Sequence, residues 1–167
     1  FLTVFDQKQV GAGDTVYQVV NQIRRPAKII GKQNRIFDTT LLINGLPVIQ
    51  IEEKRETSDV NEALNQMHQY IDENQYRDIF STLQILVAIT PNNVKYMANT
   101  TADKFNKDFA FNWQNRDNAI VRDWKTFADA MLSIPMAHQM ATNYVILDGT
   151  RNKQALKVMR PYQVYAT

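Results

Sequence analysis

The stretch Thr82-Leu-Gln-Ile-Leu-Val-Ala-Ile89 most limits what this chain can fold into. It is almost continuously apolar and is followed by Pro91-Asn-Asn. A strand that is apolar on both faces belongs inside a sheet covered on both sides. Val94-Lys-Tyr-Met-Ala98 reads as its partner strand. Residues 36–43 and 48–54 read as two more strands around Asn44-Gly45, a strong hairpin signal. Leu2-Thr-Val-Phe5 and Val16-Tyr-Gln-Val-Val20 form a further expected hairpin, with Gly11-Ala-Gly13-Asp14 as its turn. Val60, Ala63, Leu64, Met67 and Ile71 recur at helical spacing behind Thr57-Ser-Asp59, which are good cap residues. Trp124, Phe127, Ala128 and Met131 fit a second amphipathic helix, and a short helix is expected after Pro135. Residues 100–118 read as irregular, anchored by Phe105, Phe109, Phe111 and Trp113. The expected fold class is α/β, a mixed sheet flanked by helices.

A chain of 167 residues suits one domain with a real core. Cysteine is absent, which excludes disulfides and Cys-based zinc sites. No apolar run approaches the roughly 18 residues needed to span a bilayer, so no membrane partner is expected and the default location is cytoplasmic. The chain begins at Phe1 rather than Met and reads as a piece of something longer. A net charge of +2 is too mild to argue for nucleic acid by itself. Its distribution says more: between Asp14 and Asp38 there is no acid, but there are Arg24, Arg25, Lys28, Lys32 and Arg35. Those five read as a phosphate-contacting surface beside the acidic residues that follow; the plainer reading is a solvated basic loop.

Asp38, Glu52 and Lys54 carry the chemistry. Alternation puts Glu52 and Lys54 on one face of a strand, roughly 6.5–7 Å apart, with Val48 and Gln50 beside them and Ile49 and Ile51 opposite. Register decides whether Asp38 joins. A two-residue loop puts Asp38 opposite Ile51, whereas a three-residue loop, Asn44-Gly45-Leu46, or a bulge puts it opposite Glu52. Directly opposed carboxylates repel unless a cation neutralises them, and Mg²⁺ takes hard oxygen ligands. The expectation is therefore an odd-loop register with a divalent metal bridging Asp38 and Glu52. The metal polarises a scissile phosphate and lowers the pKa of a bound water, while Lys54 orients that water or stabilises developing charge. The plain alternative is an exposed surface salt bridge.

This segment resembles the PD-(D/E)xK nuclease signature, with Asp38, Glu52 and Lys54 in its D…E-x-K positions. It is most similar to the N-terminal endonuclease domain of the type I restriction R (HsdR) subunit, through Leu41-Leu-Ile-Asn-Gly-Leu-Pro-Val-Ile-Gln-Ile-Glu-Glu-Lys54 and the upstream Tyr17-Gln-Val-Val-Asn-Gln22. Gln66-Met-His-Gln-Tyr70 matches the Q-x-x-x-Y element of RecB-like nucleases and of this subunit; its Gln66 and Tyr70 share one helix face. Val158-Met-Arg160-Pro-Tyr-Gln163 resembles the adenine-reading motif that opens superfamily 2 helicase motors. Phe37 replaces the signature's Pro, and Glu53 occupies the usually apolar middle of E-x-K, so its backbone carbonyl, not its carboxylate, would face the metal.

The resemblance implies a restriction-endonuclease-like domain over residues 1–157 and the start of a translocase motor over 158–167, with Arg160 and Gln163 as nucleotide contacts. It implies Mg²⁺- or Mn²⁺-dependent cleavage of double-stranded DNA, coupled to ATP-driven translocation. The implied partners are a modification (M) and a specificity (S) subunit. The rival readings are a RecB-like exonuclease and a non-catalytic DNA-binding scaffold on a degenerate nuclease fold. His68 and His138 show no paired metal spacing and read as surface or packing residues. Trp113 and Trp124 read as core rather than base-stacking platforms.

Overall fold

A computed structural model describes residue 10, residues 13–149 and residues 153–167. The expected strand Leu2–Phe5 lies outside them. The central element is a five-stranded sheet in the order β1 (Tyr17–Arg25), β2 (Arg35–Ile43), β3 (Leu46–Glu53), β4 (Ile85–Thr90), β5 (Asn93–Ala98). β3 and β4 run parallel and the other pairs antiparallel. Only the parallel pair needs a crossover, and helix α1 (Val60–Asp72) provides it. Asp59 caps α1 by accepting from the Asn61 amide at 2.8 Å.

β4 behaves as its composition demands. Leu86 and Ala88 join Val60, Ala63, Leu64, Met67 and Tyr70 of α1 in one core cluster, while Ile85 and Val87 face a second cluster behind the sheet. That second cluster is closed by Trp113, Phe127, Met131, Met140 and Val164. The elements carrying these residues include α2 (Trp124–Phe127), continued by a π turn at Ala128–Leu132, α3 (Met136–Thr142) and α4 (Pro161–Tyr165). Trp113 is core, as expected, but Trp124 is 41% exposed. A small hairpin that the sequence reading missed, β6 (Val145–Asp148) with β7 (Ala155–Val158), precedes α4.

The β2–β3 hairpin corrects one expectation. Its loop has two residues, not three: Ile43 pairs with Leu46 across Asn44 (φ 52°) and Gly45 (φ 79°), the left-handed pair of a tight hairpin. The odd register comes from a bulge instead. Leu42 pairs with Pro47 but Leu41 pairs with Ile49, so Val48 is the extra residue. Beyond it Thr40 faces Gln50 and Thr39 faces Ile51. The bulge also moves Val48 off the Glu52 face and into the cluster with Ile49 and Ile51.

Candidate active site

The bulge sets the site. Continued by one residue, the Thr39–Ile51 register carries Asp38 to Glu52. Asp38 Oδ2 accepts from the Glu53 backbone N–H at 2.9 Å, which ties it to β3. Glu52 is fully buried, and its Oε1 accepts from Gln50 Nε2 at 3.0 Å. Its Oε2 is buried with no hydrogen-bond partner. Burial first, then the adjacent Asp38 charge, push the Glu52 carboxyl up to about 9. Glu53 is exposed and its carboxylate turns to Thr39 Oγ1 at 3.0 Å, away from Glu52.

α1 completes the set from the side. Lys54 Nζ donates to Gln66 Oε1, and Gln66 Nε2 donates to Tyr70 Oη. Tyr70 Oη in turn donates to the Ile36 carbonyl on β2 at 3.1 Å. The i, i+4 spacing of Gln66 and Tyr70 thus connects the lysine after β3 to the strand bearing Asp38. Burial and then the Glu52 charge raise the Tyr70 phenol well above its ordinary value, and Asp38 adds to this. The phenol therefore stays a neutral donor within electrostatic reach of both carboxylates.

The donor set suits a hard divalent cation. Two carboxylates repel across adjacent strands, and one of their oxygens is buried without a partner. A cation there would satisfy the oxygen and cancel the repulsion. Among the described residues no group of three or more His, Asp or Glu converges on one point, so backbone or solvent oxygens would complete the shell.

The five basic residues fare differently from one another. Arg25 Nη2 donates to the carbonyls of Gln75 (3.0 Å) and Arg77 (3.4 Å), and its guanidinium lies 4.4 Å from the Phe80 ring centroid. Arg35 makes a two-pronged pair with Glu73 at 2.6 and 2.7 Å, which holds that carboxyl below its usual range. Lys28 pairs with Asp78 at 2.8 Å. Arg24 is exposed on β1, and Lys32 is exposed near the Glu73 charge. Arg160 and Gln163 lie at the start of α4, where Gln163 Oε1 accepts from the Arg160 backbone N–H at 2.8 Å. They border a cavity of about 600 Å³ lined also by Phe109, Phe111 and Tyr162, none of whose lining residues belongs to the carboxylate site. His68 stacks on Phe105 with centroids 4.3 Å apart, and His138 is buried with Nδ1 2.7 Å from Tyr17 Oη. Sequence reasoning missed Thr40 as a site neighbour. The available signal was two polar residues, Thr40 and Gln50, facing each other in strands that are otherwise apolar there.

Residues 3–105 match the family described as Type I restriction enzyme R protein N terminus (HSDR_N). The chain belongs to this family. Its five-stranded mixed sheet with flanking helices is the restriction-endonuclease-like α/β fold of the HsdR N-terminal domain. Among curated relatives, the type I restriction enzyme EcoprrI endonuclease subunit of Escherichia coli is 37% identical over 153 residues, covering 90% of this chain and 47% of that protein. The SauCOLORF180P endonuclease subunit of Staphylococcus aureus is 32% identical over 150 residues, covering 90% and 15%. A putative endonuclease subunit, MjaVIIIP, of Methanocaldococcus jannaschii is 34% identical over 144 residues, covering 83% and 13%. This HsdR-family chain thus spans about half, or much less, of the relatives it matches. No helix among its described residues is long and apolar enough to cross a membrane.

Proposed function

We propose that this chain is the nuclease domain of a type I restriction R subunit, hydrolysing phosphodiesters of double-stranded DNA with Mg²⁺, or Mn²⁺ in its place. The observation that carries the reading is Glu52: a fully buried carboxyl beside Asp38 with one oxygen unpartnered. Asp38, Glu52 and the Glu53 backbone carbonyl would hold the ion, which supplies Lewis-acid polarisation of the scissile phosphate when bound. Lys54, tethered through Gln66 and Tyr70, presents its ammonium to the attacking water or to charge developing on the phosphoryl oxygens. Arg24 and Lys32 are the basic residues best placed to meet the DNA backbone, because Arg25, Arg35 and Lys28 are engaged within the fold.

In the whole protein this cleavage is proposed to follow ATP-driven translocation, with DNA recognition belonging to the specificity (S) subunit and the modification (M) subunit as a further partner. Residues 158–167 would lead into the motor, with Arg160 and Gln163 near its nucleotide. The test is Lys54→Ala in the assembled enzyme. Cleavage of covalently closed circular DNA should fall by at least about 10²–10³-fold, the usual cost of losing one group that stabilises transition-state charge. ATP hydrolysis should persist. Normal cutting by that variant refutes the role of Lys54, and activity confined to linear ends favours the exonuclease reading.

A further inference from the structure

We propose that Thr40 and Gln50 are positioning residues that orient the Glu52 carboxylate for its cation, an inference that rests on the nuclease reading above. Thr40, Gln50 and Glu52 are all fully buried, so water does not settle their polar atoms. Thr40 Oγ1 donates to Gln50 Oε1 at 2.7 Å, and Gln50 Nε2 donates to Glu52 Oε1 at 3.0 Å. With a cation bound Glu52 is ionised and only accepts, so in that state the amino end of the amide must face it, as it does here. The carbonyl end then faces β2 and needs a donor, which Thr40 supplies. Every bond in the row runs in one direction, and turning the Gln50 amide over would set two acceptors against each other.

The row ends in a way that structural satisfaction alone does not require. It holds one oxygen of Glu52 and leaves Oε2 buried and unpartnered beside Asp38. The arrangement depends on the hairpin register. Thr40 and Gln50 are a direct cross-strand pair only because the Val48 bulge shifts β3 by one residue, and Glu52 follows two residues on, on the same face. The bulge thereby aligns the carboxylate pair and the polar pair that steadies it. Neither Thr40 nor Gln50 touches substrate; they act through the carboxylate, as residues behind metal ligands commonly do.

The test is calorimetric titration of Mn²⁺ into the full chain and its variants, with metal-free thermal unfolding recorded for each. Wild type should bind, and Glu52→Gln should lose binding. Thr40→Val keeps the shape but removes the hydroxyl, and Gln50→Met removes the donor; each should weaken binding by about 10-fold or more. Thr40→Ser, which keeps the hydroxyl, should bind as wild type does, which a role in packing alone would not require. If Thr40→Val does not fold, Gln50→Met carries the same test. Wild-type affinity in both Thr40→Val and Gln50→Met overturns the pairing role alone, and so does equal weakening by Thr40→Val and Thr40→Ser. Absence of Mn²⁺ binding by wild type, or unchanged binding by Glu52→Gln, overturns the metal reading and this inference with it.

Discussion

Glu52 holds its carboxyl fully buried against Asp38, and this makes the stability of the metal-free fold depend on pH in an unusual direction. Its folded value, about 9, lies far above the ordinary 4.5. Between those values the folded chain binds a proton that the unfolded chain has released, so stability falls as pH rises through that window. Most buried ion-paired carboxylates do the reverse. Glu52→Gln removes the cost of protonating this carboxyl on folding and should stabilise the metal-free chain at pH 8 by on the order of 2–4 kcal/mol. The gain should shrink toward pH 5. Melting curves of both proteins across pH check this, and parallel curves would refute it. Saturating Mn²⁺ should reverse the order at pH 8, because the cation favours the ionised carboxylate and binds only wild type. Arg35 teaches a related lesson at the same scale. In sequence it looks like a phosphate contact, but its guanidinium clamps the start of β2 to Glu73 at the end of α1.

At the scale of elements, the β2–β3 hairpin separates what a turn does from what a bulge does. Gly45 has φ 79° and open space where a Cβ would sit, so Gly45→Ala costs only backbone strain, roughly 1–2 kcal/mol. It should lower the melting temperature and leave Mn²⁺ affinity unchanged. Deleting Val48 probes the bulge instead. It removes the extra residue but leaves the pairs beyond it, Leu41–Ile49, Thr40–Gln50 and Thr39–Ile51, in register, so Asp38 still faces Glu52. Metal binding should survive at a lowered melting temperature, since Val48 is a buried core residue; lost binding would show that the local twist of the bulge, and not only the offset it supplies, sets the site. The parity of Asp38 and Glu52 was legible in the sequence, since opposition required an odd offset. The device that produces it was not. Leu46 in a wider turn and Val48 in a bulge give the same offset, and both are apolar residues that the core accepts. β4 was legible because a strand buried on both faces has no other composition. β6 and β7 were missed because four-residue strands, half exposed, carry too little pattern. The Lys54–Gln66–Tyr70 row was legible as spacing on a helix, but its anchor, the Ile36 carbonyl, is a backbone atom that no side-chain pattern announces.

At the scale of the molecule, the last ten residues are built into the body behind the sheet. Tyr96 Oη donates to the Met159 carbonyl at 2.9 Å, and Trp113 Nε1 donates to Tyr165 Oη at 3.2 Å. Met159 N–H donates to the Tyr144 carbonyl at 2.9 Å, and Val164 is 6% exposed within the cluster of Tyr96, Trp113 and Phe127. If residues 158–167 lead into a motor, they are anchored on the nuclease core first, so a displacement of the motor's first turn would pull directly on the layer that backs β3 and β4. Ending the chain at Lys157 removes the Val164 side chain, worth about 1.5 kcal/mol or more. It also strands the Trp113 and Tyr96 donors, at about 1 kcal/mol each in net hydrogen bonding. The sum, on the order of 3 kcal/mol, should lower the melting temperature by about 5–10 °C for a chain of this size. Scanning calorimetry of the chain ended at Lys157 against the chain ended at Thr167 measures it. An unchanged transition would mean that α4 is a passenger, and the proposed coupling to a motor would then have to run through another surface.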